Sequence, residues 1–288
     1  MHLSDVIVGA IVAGAIALIA WRVHALTRGG AIAAFFVGTL TYGTGTLPFT
    51  LVLLAFFVPS VVLSRVGKAR KRGLVDVGKS GPRDAWQVAA NGGVSTMCAV
   101  VWALTRDPHW AVAFAGAYAA ATADTWGTEI GTLVKQAPRS ILTFRRLPTG
   151  LSGGVTAVGT LAEIVGALWI GTVALRAFGP ITWPLTWYPV DPATGFPPIR
   201  LDPVDNALFL RLVLAIPLGG FLGALADSVL GATAQELRHC DACGRDCETD
   251  PHACGAPTRL VRGMRGASND VVNLLATLVG ALVAFTLA

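Results

Sequence analysis

Charge is what this chain has least of. Only 14% of its 288 residues are Asp, Glu, Lys or Arg, against 53% hydrophobic residues, and the mean hydropathy is +0.62. That scarcity excludes an ordinary water-soluble globular protein and indicates an integral membrane protein. Long polar stretches are missing too. The longest are two loops of roughly thirty residues, so no soluble domain is expected and residues 1–288 read as a single integral membrane domain. The start lacks a basic segment: "MHLSD" precedes the first apolar run, and Arg22 and Arg28 follow it. The run therefore does not read as a cleaved signal peptide. It is expected to stay in the membrane with the N-terminus outside.

Apolar runs recur at roughly residues 5–21, 30–47, 49–64, 86–104, 110–133, 153–177, 206–234 and 271–288, each near the about 17–25 residues that cross a bilayer as a helix. The fold class is all-α, a polytopic helical bundle of about eight spans, with seven to nine compatible with the pattern. "TYGTGTLPF" between the second and third runs places Gly43, Gly45 and Pro48 where a turn or a broken helix fits.

Basic residues set the orientation. The loops 22–29, 65–83, 135–149 and 237–266 hold 18 of the 22 Lys and Arg, and the positive-inside rule makes these loops cytoplasmic. A multi-pass protein of the cell membrane with both termini outside follows. Topology and an anionic lipid surface account for the net charge of +5, so nucleic acid is not an expected partner. The loop 178–205 is rich in Pro and Trp and poor in basic residues, which suits an outer interfacial cap.

The other polar residues gather toward the cytoplasmic end. Asn91 and Ser95 open the fourth span, Asp124 and Glu129 approach the close of the fifth, and Ser152 opens the sixth. Asp227 and Ser228 approach the close of the seventh, and Asn269, Asp270 and Asn273 open the eighth. A carboxylate at membrane depth costs about 2.5–3.5 kcal/mol, so a cation is expected among these acids. Ion pairs with Arg83, Lys135, Arg145 or Arg146, or shallow placement near interfacial water, would explain one acid. Several acids beside glycine motifs favour a metal or substrate site. Glu163 stands apart, deep in the sixth span, where a neutral core role serves equally.

Asp124 and Thr128 share a helix face, and Glu129 lies about 140° round from Asp124, so both carboxylates can border one cavity. Oxygen ligands without His or Cys suit Mg²⁺, which takes one or two carboxylates and completes its shell with water and phosphate oxygens. "PTGLSGGVT" (148–156) and "ANGG" (90–93) place Gly153, Gly154, Gly92 and Gly93 at expected helix starts. Free N–H groups and a positive dipole end there suit phosphate, with close helix packing as the alternative use of such glycines. Phosphoryl or nucleotidyl transfer on a lipid headgroup is the reaction class these parts serve. "NGGVST" with "ADT" (123–125) and "SGGVTA" with "ADS" (226–228) also suggest duplicated helix pairs.

"HCDACGRDCETDPHAC" supplies Cys240, Cys243, Cys247 and Cys254 within the Cys-rich loop 237–266. Cys-x-x-Cys is half of a tetrahedral Zn²⁺ site, with His252 able to replace one thiol, and such a closed site is structural. A set of reduced, unligated thiols is the alternative. Cys98, alone in an apolar run, reads as core packing.

Together "RDAWQVAANGG", "ADTWGTEIG", "PTGLSGGVTAVGT", "ADSVLGATAQ", the cysteine loop and "SNDVVNLLATLVGAL" resemble a membrane family that includes the animal transmembrane protein nineteen and the plant phytyl-phosphate kinase. The resemblance implies a Mg²⁺-dependent kinase moving a phosphoryl group from a nucleoside triphosphate, CTP in the plant relative, to an isoprenyl monophosphate such as phytyl or geranylgeranyl phosphate. It implies Asp124, Glu129 and Asp227 as Mg²⁺ ligands. Asn91, Ser152, Gly153, Gly154, Asn269 and Asp270 would contact phosphate or nucleotide, with Arg83 and Lys135 neutralising charge. The rival reading is an ion-coupled transporter or lipid scramblase that uses the same carboxylates.

Overall fold

The computed structural model describes residues 2–66, 81–134, 136–178 and 206–288, with 206–213 described by backbone only. The expected cap at 179–205, most of the basic loop at 67–80 and Lys135 lie outside the described residues. The helices are α1 (Leu3–Arg22), α2 (Arg28–Arg65), α3 (Ala85–Thr105), α4 (Pro108–Gly131), α5 (Ala157–Phe178), α6 (Asn206–Thr233) and α7 (Asn269–Leu287). All but α4 are long and apolar enough to cross a membrane. Among the described residues, two small antiparallel sheets lie in the loops. β1 (Arg139–Ser140) pairs with β2 (Gly154–Val155), and β3 (Leu237–Cys240) pairs with both β4 (Arg245–Cys247) and β5 (Arg259–Arg262).

The break expected in "TYGTGTLPF" is present. Thr46 leaves the helical region at φ 52, ψ −147, and the Arg65 Nη2 donates to the Val23 carbonyl at 2.7 Å. A straight helix of 38 residues would hold its ends about 57 Å apart, so α2 folds back on itself. Gly45 is required there, because a Cβ on it would lie 2.0 Å from Cγ of Phe49. The Phe49 ring, tucked under the turn, stacks against Phe114 at 4.4 Å, Trp102 at 4.8 Å and Phe178 at 5.2 Å. Among the described residues, with α2 counted as two segments, eight helical segments stand where the apolar runs predict them.

α4 is the axis of the bundle. Residues 111–123 are buried without interruption, which explains why it alone is too polar for a lipid-facing span: protein, not lipid, surrounds it. Alanine and glycine make that enclosure close. A Cβ on Gly116 would meet Ala284 at 2.3 Å, and one on Gly220 would meet Ala119 at 2.7 Å, the small-residue packing that membrane bundles use in place of a hydrophobic driving force.

One end of the bundle collects the basic loops. Thr27 N–H donates to the Arg83 carbonyl and Arg83 N–H to the Ala25 carbonyl, each at 3.0 Å, tying the α1–α2 turn to the start of α3. Gly131 abuts Thr156 and Gly159, and Gly153 abuts Ala232, so the end of α4, the start of α5 and the end of α6 meet at the same end.

Candidate functional site

Two helix starts differ from expectation. Asp84 caps α3 through a reciprocal pair with Gln87, each bond 3.0 Å, so Asn91, Gly92 and Gly93 lie nearly two turns inside the helix. Their backbone N–H groups point along the helix to carbonyls four residues back, not to a ligand. Gly92 serves packing against Val37 and Tyr118. α5 likewise begins at Ala157, where the Thr156 hydroxyl accepts from Gly159 N–H at 3.0 Å. Ser152 and Gly153 therefore form a tight turn that leads into β2 at Gly154, before the helix. Gly153 has φ +81, and a Cβ there would sit 2.6 Å from the Ala232 Cα, so its glycine answers to conformation and to packing on α6.

The later start of α5 moves Glu163 into the site. It stands six residues after Ala157, Asp124 stands seven before Gly131, and Asp227 stands six before Thr233. At 1.5 Å per residue, all three lie about 10 Å from the same end. Asp227 feels the charges of Asp124, Glu163 and Glu248, and Asp124 feels Glu129. Glu163 is buried, 7% exposed, and packs on Gly127. Its Oε2 and Asp227 Oδ2 are buried without a hydrogen-bond partner among the described residues.

The donor chemistry fits a hard cation: carboxylates only, two bare oxygens, and mutual repulsion for a positive charge to relieve. Among the described residues, however, the only group of three or more His, Cys, Asp or Glu with ligand atoms all within 4.8 Å is in the cysteine loop. Two of the carboxylates at a time, with water or phosphate oxygens completing the shell, is the arrangement Mg²⁺ tolerates.

Glu248 joins this site although its neighbourhood in the sequence carries no membrane-depth signal, and Gln235, just past the end of α6, joins it too. The Ser152 hydroxyl donates to Glu248 Oε1, and Gln235 Nε2 donates to Ser152 Oγ at 2.9 Å and to Glu248 Oε2 at 2.7 Å. Burial raises the Glu248 pKa, and those bonds together with Arg262 oppose the rise. Asn269 and Asp270 open α7 as expected, with Ser268 at the cap position.

On the other side of Glu129 lies Arg83. Burial lowers its pKa and the charge of Glu129 raises it; the guanidinium sits 5.8 Å over the Phe56 ring. Arg83, Gln87 and Asn91 stand at one end of an elongated apolar groove walled by α1, α2 and α3 and partly open to the outside. Along α1 its wall runs from Ala20 to Gly9, about 16 Å at the helical rise. Arg145 and Arg146 are exposed.

In the cysteine loop the residues that come together are those of the alternative in which His252 stands in for one thiol, and Cys247 is the thiol left out. Cys240, Cys243, His252 and Cys254 gather within 4.8 Å of one another. Cys247 lies outside that group, fully buried, its Sγ donating to the Thr249 carbonyl at 3.6 Å; β4 pairs it with Arg238, two residues along β3 from Cys240.

Comparison with known proteins agrees with the resemblance carried by the motifs. The chain is 29% identical to Protein PGR of Arabidopsis thaliana over 80% of its own length and 79% of the relative's. It is 27% identical to the uncharacterized membrane protein MJ0933 of Methanocaldococcus jannaschii over 93% and 88%. With the chloroplastic Protein VTE6 of Arabidopsis thaliana it shares 28% identity over 52% of its own length and 47% of the relative's. No solved structure matches it. A family described as integral membrane protein DUF92 matches residues 11–281, nearly the whole chain, and this protein is a member of that family.

Proposed function

We propose that the protein is a lipid-phosphate kinase that transfers a phosphoryl group from a nucleoside triphosphate, CTP by family resemblance, to an isoprenyl monophosphate. One observation carries the reading: a carboxylate cluster with bare buried oxygens lies about two turns from the basic end, and Glu129 links it to Arg83 at the mouth of a lengthwise apolar groove. A groove of this kind suits a polyisoprenyl tail, with Arg83 and Asn91 at its mouth receiving the phosphate. An acceptor phosphate oxygen attacks the γ-phosphorus, the bond to the β-phosphate bridging oxygen breaks, and the products are a nucleoside diphosphate and an isoprenyl diphosphate. No general base is needed, because the attacking oxygen is already ionised.

Mg²⁺ bound by the carboxylates would neutralise charge on the triphosphate. Asp124, Asp227 and Glu163 hold the cation-binding oxygens in place, Arg83 steadies the acceptor phosphate, and the small residues around α4 fix the helices that carry them. Positioning of this kind supplies most of the catalysis in phosphoryl transfer.

The test is purified protein with phytyl or geranylgeranyl phosphate, Mg²⁺ and each of the four nucleoside triphosphates. Diphosphate product is expected; absence of turnover with every pair sinks the proposal. A transporter or scramblase remains the rival, favoured by the parallel α4 and α6 that set Asp124 beside Asp227 as a repeat would. It calls for acids near the bilayer midplane, whereas these stand toward one end. Ion-dependent flux in proteoliposomes without product formation would select it.

A further inference from the structure

The loop 237–266 presents a second centre, chemically unlike the carboxylates. Its strands contain four, three and four residues, too few to bury a core of their own. Assemblies of that size ordinarily need a staple. Two tight turns bring the ligand-type residues together: Gly244 N–H donates to the Cys240 carbonyl at 2.8 Å, and Gly255 N–H to the His252 carbonyl at 2.8 Å. Gly244 at φ +63 and Gly255 at φ +85 supply the left-handed backbone.

Two of the separations match a tetrahedral metal site. Zn–S bonds of about 2.3 Å and a Zn–N bond of about 2.0 Å put two sulfurs about 3.8 Å apart and a sulfur and nitrogen about 3.5 Å apart. Cys240 Sγ and Cys254 Sγ are 3.7 Å apart, Cys243 Sγ and His252 Nδ1 3.5 Å, and Cys254 Sγ and His252 Nδ1 3.0 Å. A disulfide would need about 2.0 Å between sulfurs.

We propose that Cys240, Cys243, His252 and Cys254 bind one Zn²⁺ in a closed Cys₃His site, and that this ion holds the loop so that Glu248 stands beside Asp227. Glu248 follows Cys247 in β4 and is tied to Ser152 and Gln235. The zinc is therefore a structural fastener for a carboxylate of the membrane site. Four protein ligands leave it no open position for chemistry of its own.

The test uses full-length protein purified in mild detergent and needs no lipid substrate, so it stands or falls separately from kinase activity. Elemental analysis should find one zinc per chain. Cys243→Ser and Cys254→Ser should lose it, and Cys247→Ser should keep it. Should the serine variants fail to fold, Co²⁺ exchanged into the natural chain decides the ligands, giving the thiolate charge-transfer and visible bands of a tetrahedral site. Chelation should raise hydrogen exchange across 237–262 and 148–155 together. Zinc-free natural protein, or zinc lost as fully from Cys247→Ser as from Cys243→Ser, overturns the site; unchanged exchange at 148–155 overturns the link to Glu248.

Discussion

Gly127 and Glu163 are packed so closely that a Cβ on the glycine would lie 2.6 Å from the Glu163 Cγ and 2.8 Å from its Oε1. The contact decides where Glu163 can put its carboxyl, and it makes the glycine of "ADTWGTEIG" part of the site although it has no functional group. Gly127→Ala should displace Glu163 from Asp124 and Asp227 and cost about 1–3 kcal/mol by overpacking. Kinase activity should fall with it. Gly14→Ala, whose nearest neighbour is 3.8 Å away, should be neutral or mildly stabilising in thermal unfolding. Equal effects of the two substitutions would remove the contact from the argument.

Asp227 sits among carboxylates that repel it, with one oxygen unpaired. Asp227→Asn should therefore separate function from stability: activity is lost, while the metal-free protein melts at the same or a higher temperature, about 2–4 °C higher for each kcal/mol of repulsion relieved. Mg²⁺ should raise the Tm of the natural protein by mass action and leave that of the variant unmoved. A variant that melts far below the natural protein would mean the carboxylate serves the fold.

Arg238 is the pin of the cysteine loop. Its side chain, 7% exposed, binds Glu236 at 2.6 Å, Asp250 at 2.7 Å and Thr258 Oγ1 at 2.8 Å. Burial raises the pKa of Glu236, but hydrogen bonds from Gly266 N–H and Arg238, with the charges of Arg238 and Arg265, hold it below its ordinary value. Hydrogen bonds from the Thr258 backbone and hydroxyl do the same for Asp250, helped by Arg238. For carboxyls held low in the folded state, stability is present above the unfolded pKa and lost as pH falls through the folded one. The loop should thus be closed at neutral pH and lose that stability progressively as pH falls below about 4, read as hydrogen exchange over 236–258. Arg238→Met should open it at neutral pH by removing the bonds to Glu236, Asp250 and Thr258 together.

What the sequence disclosed and what it hid follow from range. Spans, the break near Thr46 and the gathering of Asp124 and Asp227 at the basic end depend on local apolarity and on charge counts, both visible along the chain. Glu163 was hidden because its depth depends on the start of α5, which the Thr156 cap sets at Ala157 rather than at residue 153. Glu248 was hidden more deeply. It reaches the site through Ser152, 96 residues away, and nothing in "CETD" signals that partner. The glycines of "ANGG" misled because a capping box upstream, Asp84 with Gln87, starts α3 before them.

The apolar groove gives a sharper test of substrate than catalysis does. Ala13, 8% exposed, lines it about 10 Å along α1 from the Ala20 end, and a phenyl ring there would fill space that the tail of a long isoprenyl phosphate needs. Losing the burial of three or four methylene groups costs about 2–3 kcal/mol, roughly 30- to 150-fold in kcat/KM. Ala13→Phe should therefore impair geranylgeranyl phosphate by that factor, chiefly through KM, and leave a five-carbon prenyl phosphate nearly untouched, because its tail stops short of residue 13. Paired steady-state measurements on the two acceptors read the difference directly. An equal loss on both would mean the ring disturbs the bundle, and no loss on either would place the tail outside the groove, against the lipid-facing surface of the helices.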